Sequence, residues 1–214
     1  MIRLTGRHPF NAEAKLQDLF SQGFITPSSL FFVRNHGAVP EIDPQMANDW
    51  KLKIHGLVCR EGLVLTFKLI DLSPRRLCSR PGTFTLEDLR KKFRVITIPV
   101  TLVCAGNRRK EQNVVRKSLG FSWGAAGIST ALFTGVYLAD VLEYILPQRG
   151  AKHVIFEGND DLPNGPYGTR YPISYVFFLE DYLFLFNSQL LSWAQDRRKG
   201  MMLAWGMNGL PYES

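Results

Sequence analysis

The residues with the most chemistry to offer are crowded between positions 103 and 127. Val103-Cys104-Ala105-Gly106-Asn107-Arg108-Arg109-Lys110-Glu111-Gln112-Asn113 is followed closely by Gly120-Phe121-Ser122-Trp123-Gly124-Ala125-Ala126-Gly127. A cysteine leaving a strand beside three cations has an electropositive setting that favours thiolate, the form that ligates soft metals or attacks as a nucleophile. Arg108 and Arg109 offer planar donor forks matched to an oxyanion. The small residues around Trp123 permit close backbone approach, and Trp123 itself can wall a pocket. On residue types alone two plainer readings stay open: a strand-end cysteine is commonly a buried inert side chain, and an Arg-Arg-Lys run is commonly a solvated face.

The flanking pattern says how these residues are held. Residues 94–104 are β-branched and alternating, a strand that delivers Cys104 to its end, and Pro99 within it argues for an edge or bulged strand. Residues 85–93 read as a short amphipathic helix with Thr85 as N-cap and Glu87 and Asp88 in the first turn. Leu138, Val141, Leu142 and Ile145 repeat at helical spacing after a polar, Gly-rich stretch, and Val154-Ile155-Phe156 returns as a strand. Upstream, Trp50 to Gly56 alternates as a half-buried strand. Leu30-Phe31-Phe32-Val33 reads as a strand ending in the polar turn Arg34-Asn35-His36-Gly37. The order implies an α+β domain rather than a helical bundle.

Composition narrows the function classes. The chain has 214 residues, 45% hydrophobic and 21% charged, enough for one substantial domain or two small ones. A net charge of +7 biases it towards anionic partners. The cations are spread along the chain, which makes a nucleic-acid binder a poor reading. Three cysteines (Cys59, Cys78, Cys104) are too few and too scattered for a disulfide framework and suit a reducing compartment. No H-x-x-x-H pair or C-x-x-C occurs, so a locally built zinc site is not expected. The N-terminus shows no secretory signal. Two stretches sit badly in a compact domain: the basic, turn-prone 63–83 and the aromatic, leucine-rich 175–193. The second is not read as a membrane span, because Glu180-Asp181 breaks a short apolar run.

The exact string Cys104 to Asn113 resembles the molybdenum-ligand motif of the sulfite oxidase family, and its Lys110-Glu111-Gln112-Asn113 ending is closer to eukaryotic assimilatory nitrate reductases. Further matches stand in the family's order: Phe32-Val33-Arg34-Asn35-His36-Gly37 with Val39-Pro40, Gly120 to Ala125, Phe156-Glu157-Gly158-Asn159-Asp160 with Tyr167-Gly168-Thr169, and Met202 to Gly209. The resemblance implies a sulfite oxidase-type molybdopterin-binding fold with mixed sheets and short helices. It implies Cys104 as the thiolate on molybdenum, Phe32, Val33, Arg34, Asn35, His36 and Asp160 as pterin-binding residues, and Arg34, Arg109 and Trp123 as the lining of an anion pocket.

The implied reaction is oxygen-atom transfer from nitrate or a similar small oxyanion, with sulfite oxidation as the same-family alternative and a non-catalytic remnant of the fold as another. Electrons are expected from haem and FAD domains that this chain lacks. A cytoplasmic location and no membrane partner are expected. Relative to the family pattern, the C-terminal part of the pocket and the dimerisation domain are missing. Residues 65–82 and 175–192 read as insertions, in the manner of retained introns, within a partial molybdopterin-binding domain spanning 1–214.

Overall fold

A computed structural model describes residues 1–38, 50–56, 62–66, 82–147, 153–157 and 188–211. In chain order the elements are β1 (Ile2–Arg3), β2 (Ala12–Glu13), α1 (Leu16–Ser21), a 3-10 turn (Ser28–Leu30), β3 (Lys51–Gly56), β4 (Gly62–Thr66), β5 (Gly82–Thr85) and α2 (Leu86–Lys92). There follow β6 (Val95–Val103), α3 (Arg109–Val115), β7 (Ile128–Tyr137), α4 (Leu138–Ile145), β8 (His153–Glu157), β9 (Ser188–Leu190), α5 (Leu191–Ala194), a second 3-10 turn (Arg197–Lys199), β10 (Met202–Met207) and β11 (Leu210–Pro211). The chain divides into two compact units: Met1–Glu41 with Thr97–Thr134 and Ala204–Ser214, and Ile42–Ile96 with Gly135–Leu203.

The first unit contains most of a four-stranded sheet of order β11-β10-β7-β6. β6 is at its edge, as Pro99 demands. The Cys104 N–H donates to the Gly127 carbonyl at 2.9 Å. Backbone groups alternate sides along a strand, so Pro99, five residues back, presents its missing N–H to the open edge, where no ladder bond is lost. Two hydroxyl pairs tie β6 to β7, Thr97 with Thr134 at 2.9 Å and Thr101 with Thr130 at 2.8 Å. Asn208 adopts a left-handed φ of 54° at the turn between β10 and β11, and its Oδ1 accepts the Leu132 N–H at 3.0 Å.

The second unit carries a five-stranded sheet of order β5-β3-β4-β8-β9. There β3 runs antiparallel to both β4 and β5, and β8 pairs parallel with β4 and antiparallel with β9. Thr85 caps α2 as expected: its hydroxyl accepts the Asp88 N–H at 3.1 Å, and the Asp88 carboxylate accepts the Thr85 N–H at 3.0 Å. α4 buries Leu138, Ala139, Val141, Leu142 and Ile145, the face that their helical spacing predicts. Truncating one of the large members to Ala costs about 2–5 kcal/mol. Phe84, Phe93 and Tyr144 pack edge to face, with centroids 5.7–6.0 Å apart.

One expectation is corrected. Residues 30–33 do not form a strand: Ser28–Leu30 is a 3-10 turn, and only Val33 finds a bridge partner, Ala12. The serine pair after Pro27 supplies turn chemistry that overrides the apolar run. The polar, Gly-rich stretch after Cys104 holds α3 and most of the ten-residue β7, whose Ser, Thr, Ala and Gly residues dilute the alternation. Of the segments read as insertions, residues 65–66 lie in β4, 82 in β5 and 188–192 in β9 and α5. The remainder lies outside the described residues, as do Cys59, Cys78, Val39, Pro40 and Asp160. Among the described residues no helix is long and apolar enough to cross a membrane.

Candidate active site

Strand β6 ends at Val103, and the half-buried Cys104 begins a tight loop. The Asn107 N–H returns to the Cys104 carbonyl at 2.8 Å, and the Gly106 N–H points at the Cys104 sulfur at 3.4 Å. That contact brings the positive end of a backbone dipole to the sulfur. The loop is braced against residues 123–127 by main-chain bonds from Arg108 N–H to Gly124 O (2.7 Å) and from Lys110 N–H to Trp123 O (2.9 Å), and by the Gly127 N–H on Asn107 Oδ1 (3.0 Å). The geometry of the thiol is therefore set by rigid main chain on both sides.

Gly106 is where the site residues meet. A Cβ placed on it would lie 2.7 Å from Arg109 Nη1 and 2.7 Å from Trp123 Cδ1; one placed on Gly120 would lie 2.3 Å from Arg109 Nη1. The Arg109 guanidinium thus passes between two glycines, next to the loop that carries Cys104. It makes one long hydrogen bond among the described residues, to the Phe121 carbonyl at 3.4 Å, which leaves most of its five donors for another acceptor. Trp123 is fully buried, and its Nε1 has no hydrogen-bond partner among the described residues. A buried N–H without an acceptor costs about 1–3 kcal/mol, so this indole is poised for an acceptor that the described residues do not provide.

The Phe32–His36 segment reaches the same place. Phe32 meets Trp123 edge to face with centroids 5.9 Å apart, and its N–H donates to Ser129 Oγ at 3.2 Å. Val33 is held by Ala12. Arg34 lies over the Phe121 ring at 5.3 Å, donates to the Asn35 carbonyl and approaches His36 Nδ1 at 3.4 Å. Asn35 is fixed at both ends, its N–H on Asn11 Oδ1 (2.7 Å) and its Nδ2 on the Phe10 carbonyl (2.8 Å). Phe121 in turn packs against Trp123 at 5.5 Å, so both Arg34 and Arg109 converge on Phe121.

Arg108 does not join them. It starts α3 in the left-handed region at φ 65°, and its exposed guanidinium forms a fork with Glu111 at 2.6–3.0 Å. The Glu111 hydrogen bond raises the guanidinium's pKa, and the Arg108 hydrogen bond lowers that of the carboxyl. Of the two forks at 108 and 109, only Arg109 turns towards Phe121, where Arg34 also lies. Residue types alone did not signal Asn11 or Glu13, both buried, or the part played by Gly106 and Gly120. A cavity of about 550 Å³ is lined by Glu13, Lys15 and Gly124 to Ala126 among others, but by none of Cys104, Arg109 or Trp123.

One soft sulfur donor, with a guanidinium and an indole N–H that the described residues leave largely unpaired, suits a sulfur-ligated metal cofactor that works beside an oxyanion. No cluster of three or more His, Cys, Asp or Glu occurs among the described residues. The fold is an α+β domain of mixed sheets and short helices. The chain belongs to the family of oxidoreductase molybdopterin-binding domains, whose family model matches residues 70–213. It is similar to a protein named nitrate reductase [NADPH] from Mycosarcoma maydis, 49% identical over 224 residues that take in 98% of this chain and 19% of that protein. The protein of the same name from Leptosphaeria maculans is 48% identical, again over 98% of this chain and 19% of its own length. The chain therefore spans about a fifth of the length of these curated relatives. Among solved structures, the sulfane dehydrogenase SoxCD from Paracoccus pantotrophus shares the fold, with a TM-score of 0.56 and 20% identity over 89% of this chain and 36% of that one.

Proposed function

We propose that this chain provides the molybdenum-cofactor site of a nitrate-reducing enzyme. Cys104 would hold the metal through its thiolate, and Phe32, Val33, Arg34, Asn35, His36 and Asp160 would hold the pterin. When bound, the cofactor supplies two-electron oxygen-atom transfer, which with two protons takes nitrate to nitrite and water. The chain's own residues bind and orient the anion. The planar forks of Arg109 and Arg34 match the nitrate oxygens, and the Trp123 Nε1–H donates to an acceptor in the pocket. Fixed cations beside the anion offset negative charge as it shifts during the reduction.

The observation that carries this reading is the meeting of Arg109 and Trp123 over Gly106, whose N–H is on the Cys104 sulfur. The identity to proteins named nitrate reductase supports nitrate over sulfite as substrate. Electrons would come from haem and flavin domains outside this chain, and the scattered cysteines suit a cytoplasmic setting. Turnover of the cofactor-loaded protein with nitrate and a reduced artificial donor, against sulfite and an oxidised acceptor, tests the reading. Nitrite formation that is lost in Cys104→Ser supports it; turnover of sulfite alone overturns it.

Residues 65–82 and 175–192 belong to the same proposal as insertions into the domain. A dominant spliced transcript that lacks both supports that reading, and one that contains both overturns it.

A further inference from the structure

Two polar side chains in and beside β2 are buried, Asn11 at 0% exposure and Glu13 at 5%. A carboxylate withdrawn from water is stable only when strong donors serve it. Among the described residues Glu13 has two, both from main chain: Gly124 N–H on Oε1 at 2.8 Å and Ala126 N–H on Oε2 at 3.2 Å. The fit is close, since a Cβ on Gly124 would lie 2.4 Å from Oε1. The two amides bracket the turn that immediately follows Trp123. The carbonyls of Trp123 and Gly124 receive the N–H groups of Lys110 and Arg108, which flank Arg109.

The same short stretch grips the other half of the site. Ala12 exchanges both backbone hydrogen bonds with Val33, at 3.0 and 2.8 Å, and Asn11 Oδ1 takes the Asn35 N–H at 2.7 Å. Residues 11–13 therefore hold the segment bearing Arg34 with main chain and amide, and the segment bearing Trp123 with a carboxylate.

We infer that Glu13 is a positioning residue for the anion pocket: its carboxylate fixes the 124–126 turn, and through it the places of Trp123 and Arg109 relative to Cys104. The functional half of this inference rests on the nitrate reading; the structural half does not.

The test uses Glu13→Ala and Glu13→Gln in the full chain. Gln keeps the volume and one acceptor oxygen but turns an NH₂ towards the second amide, and it serves alone if the Ala variant does not fold. Hydrogen exchange is first followed in cofactor-free protein. In Glu13→Ala, exchange in the 120–127 peptide rises about tenfold or more, the scale expected for loss of a charge-assisted hydrogen bond. Exchange across 138–145 stays unchanged, and Glu13→Gln falls between wild type and Ala. In the loaded protein, the nitrate KM rises about tenfold at unchanged molybdenum content, by the same loss of a fixed donor geometry.

Exchange that rises equally in both peptides, or in neither, overturns the inference. A local rise with an unchanged KM overturns the link to the pocket. A local rise in a wild-type background that turns over no nitrate contradicts the nitrate reading and leaves Glu13's hold on the turn standing.

Discussion

Gly120→Ala separates the place of Arg109 from the stability of the fold. A Cβ at position 120 would lie 2.3 Å from Arg109 Nη1, 2.7 Å from Cζ and 3.1 Å from Nε, whereas ordinary contact begins at 3.4 Å. The guanidinium must therefore retreat by about 1.1 Å. All three atoms belong to the far end of a flexible side chain, so the backbone has no reason to move and the thermal midpoint stays within about 2 °C of wild type. The anion loses a donor fork held in register. Losing a charge-assisted hydrogen bond is worth about 1.5–3 kcal/mol, which is roughly 10–150-fold in nitrate kcat/KM. Initial rates against nitrate concentration with a reduced artificial donor, beside a calorimetric scan, read both quantities. Gly6→Ala, where a Cβ meets nothing within 4 Å, is the neutral control. A Gly120→Ala protein with kcat/KM within about twofold of wild type, while Arg109→Ala is crippled, would refute the claim that the glycine gap sets the guanidinium.

Other outcomes follow from single contacts. Arg108→Ala removes only an exposed fork to Glu111, so nitrate kinetics stay within about twofold of wild type while Arg109→Ala loses at least tenfold, both read in the same assay. Asp88 is held below its ordinary value of 3.8, first by the Thr85 backbone N–H and then by the Thr85 hydroxyl. A depressed carboxyl stabilises the fold above its unfolded value and ceases to do so as pH falls through the folded value. Urea midpoints of wild type and Asp88→Asn therefore differ by a constant amount above about pH 5 and converge below 3.8.

Legibility in the sequence follows the range of the forces involved. Local rules were readable: the Thr85 cap, the apolar face of α4, the delivery of Cys104 by β6 and the placement of Pro99 at an edge all depend on neighbours a few residues away. The family motif placed Cys104, Arg109, Trp123 and the Phe32–His36 segment, and the fold brings these together in one unit. Residue types did not separate Arg108 from Arg109. Arg108 is the left-handed N-cap ahead of α3 and Arg109 its first helical residue, so the two side chains leave the backbone differently, and Glu111, three residues on, takes the outward one. Glu13 was invisible for a different reason: its partners are backbone amides 111 and 113 residues away, and no periodicity records such a pairing. β7 was missed because Ser129, Thr130, Ala131 and Gly135 are buried without being large and apolar.

The central claim is that Cys104 anchors a molybdenum cofactor in this chain. The most direct measurement is molybdenum per chain by elemental mass spectrometry, on wild type and Cys104→Ser purified from a host that makes the pterin. The account predicts about one metal per wild-type chain and loss of most of it in the serine variant, because a hydroxyl is a poor substitute for a soft thiolate. A folded wild-type protein without molybdenum, or a serine variant that retains it in full, would contradict the account.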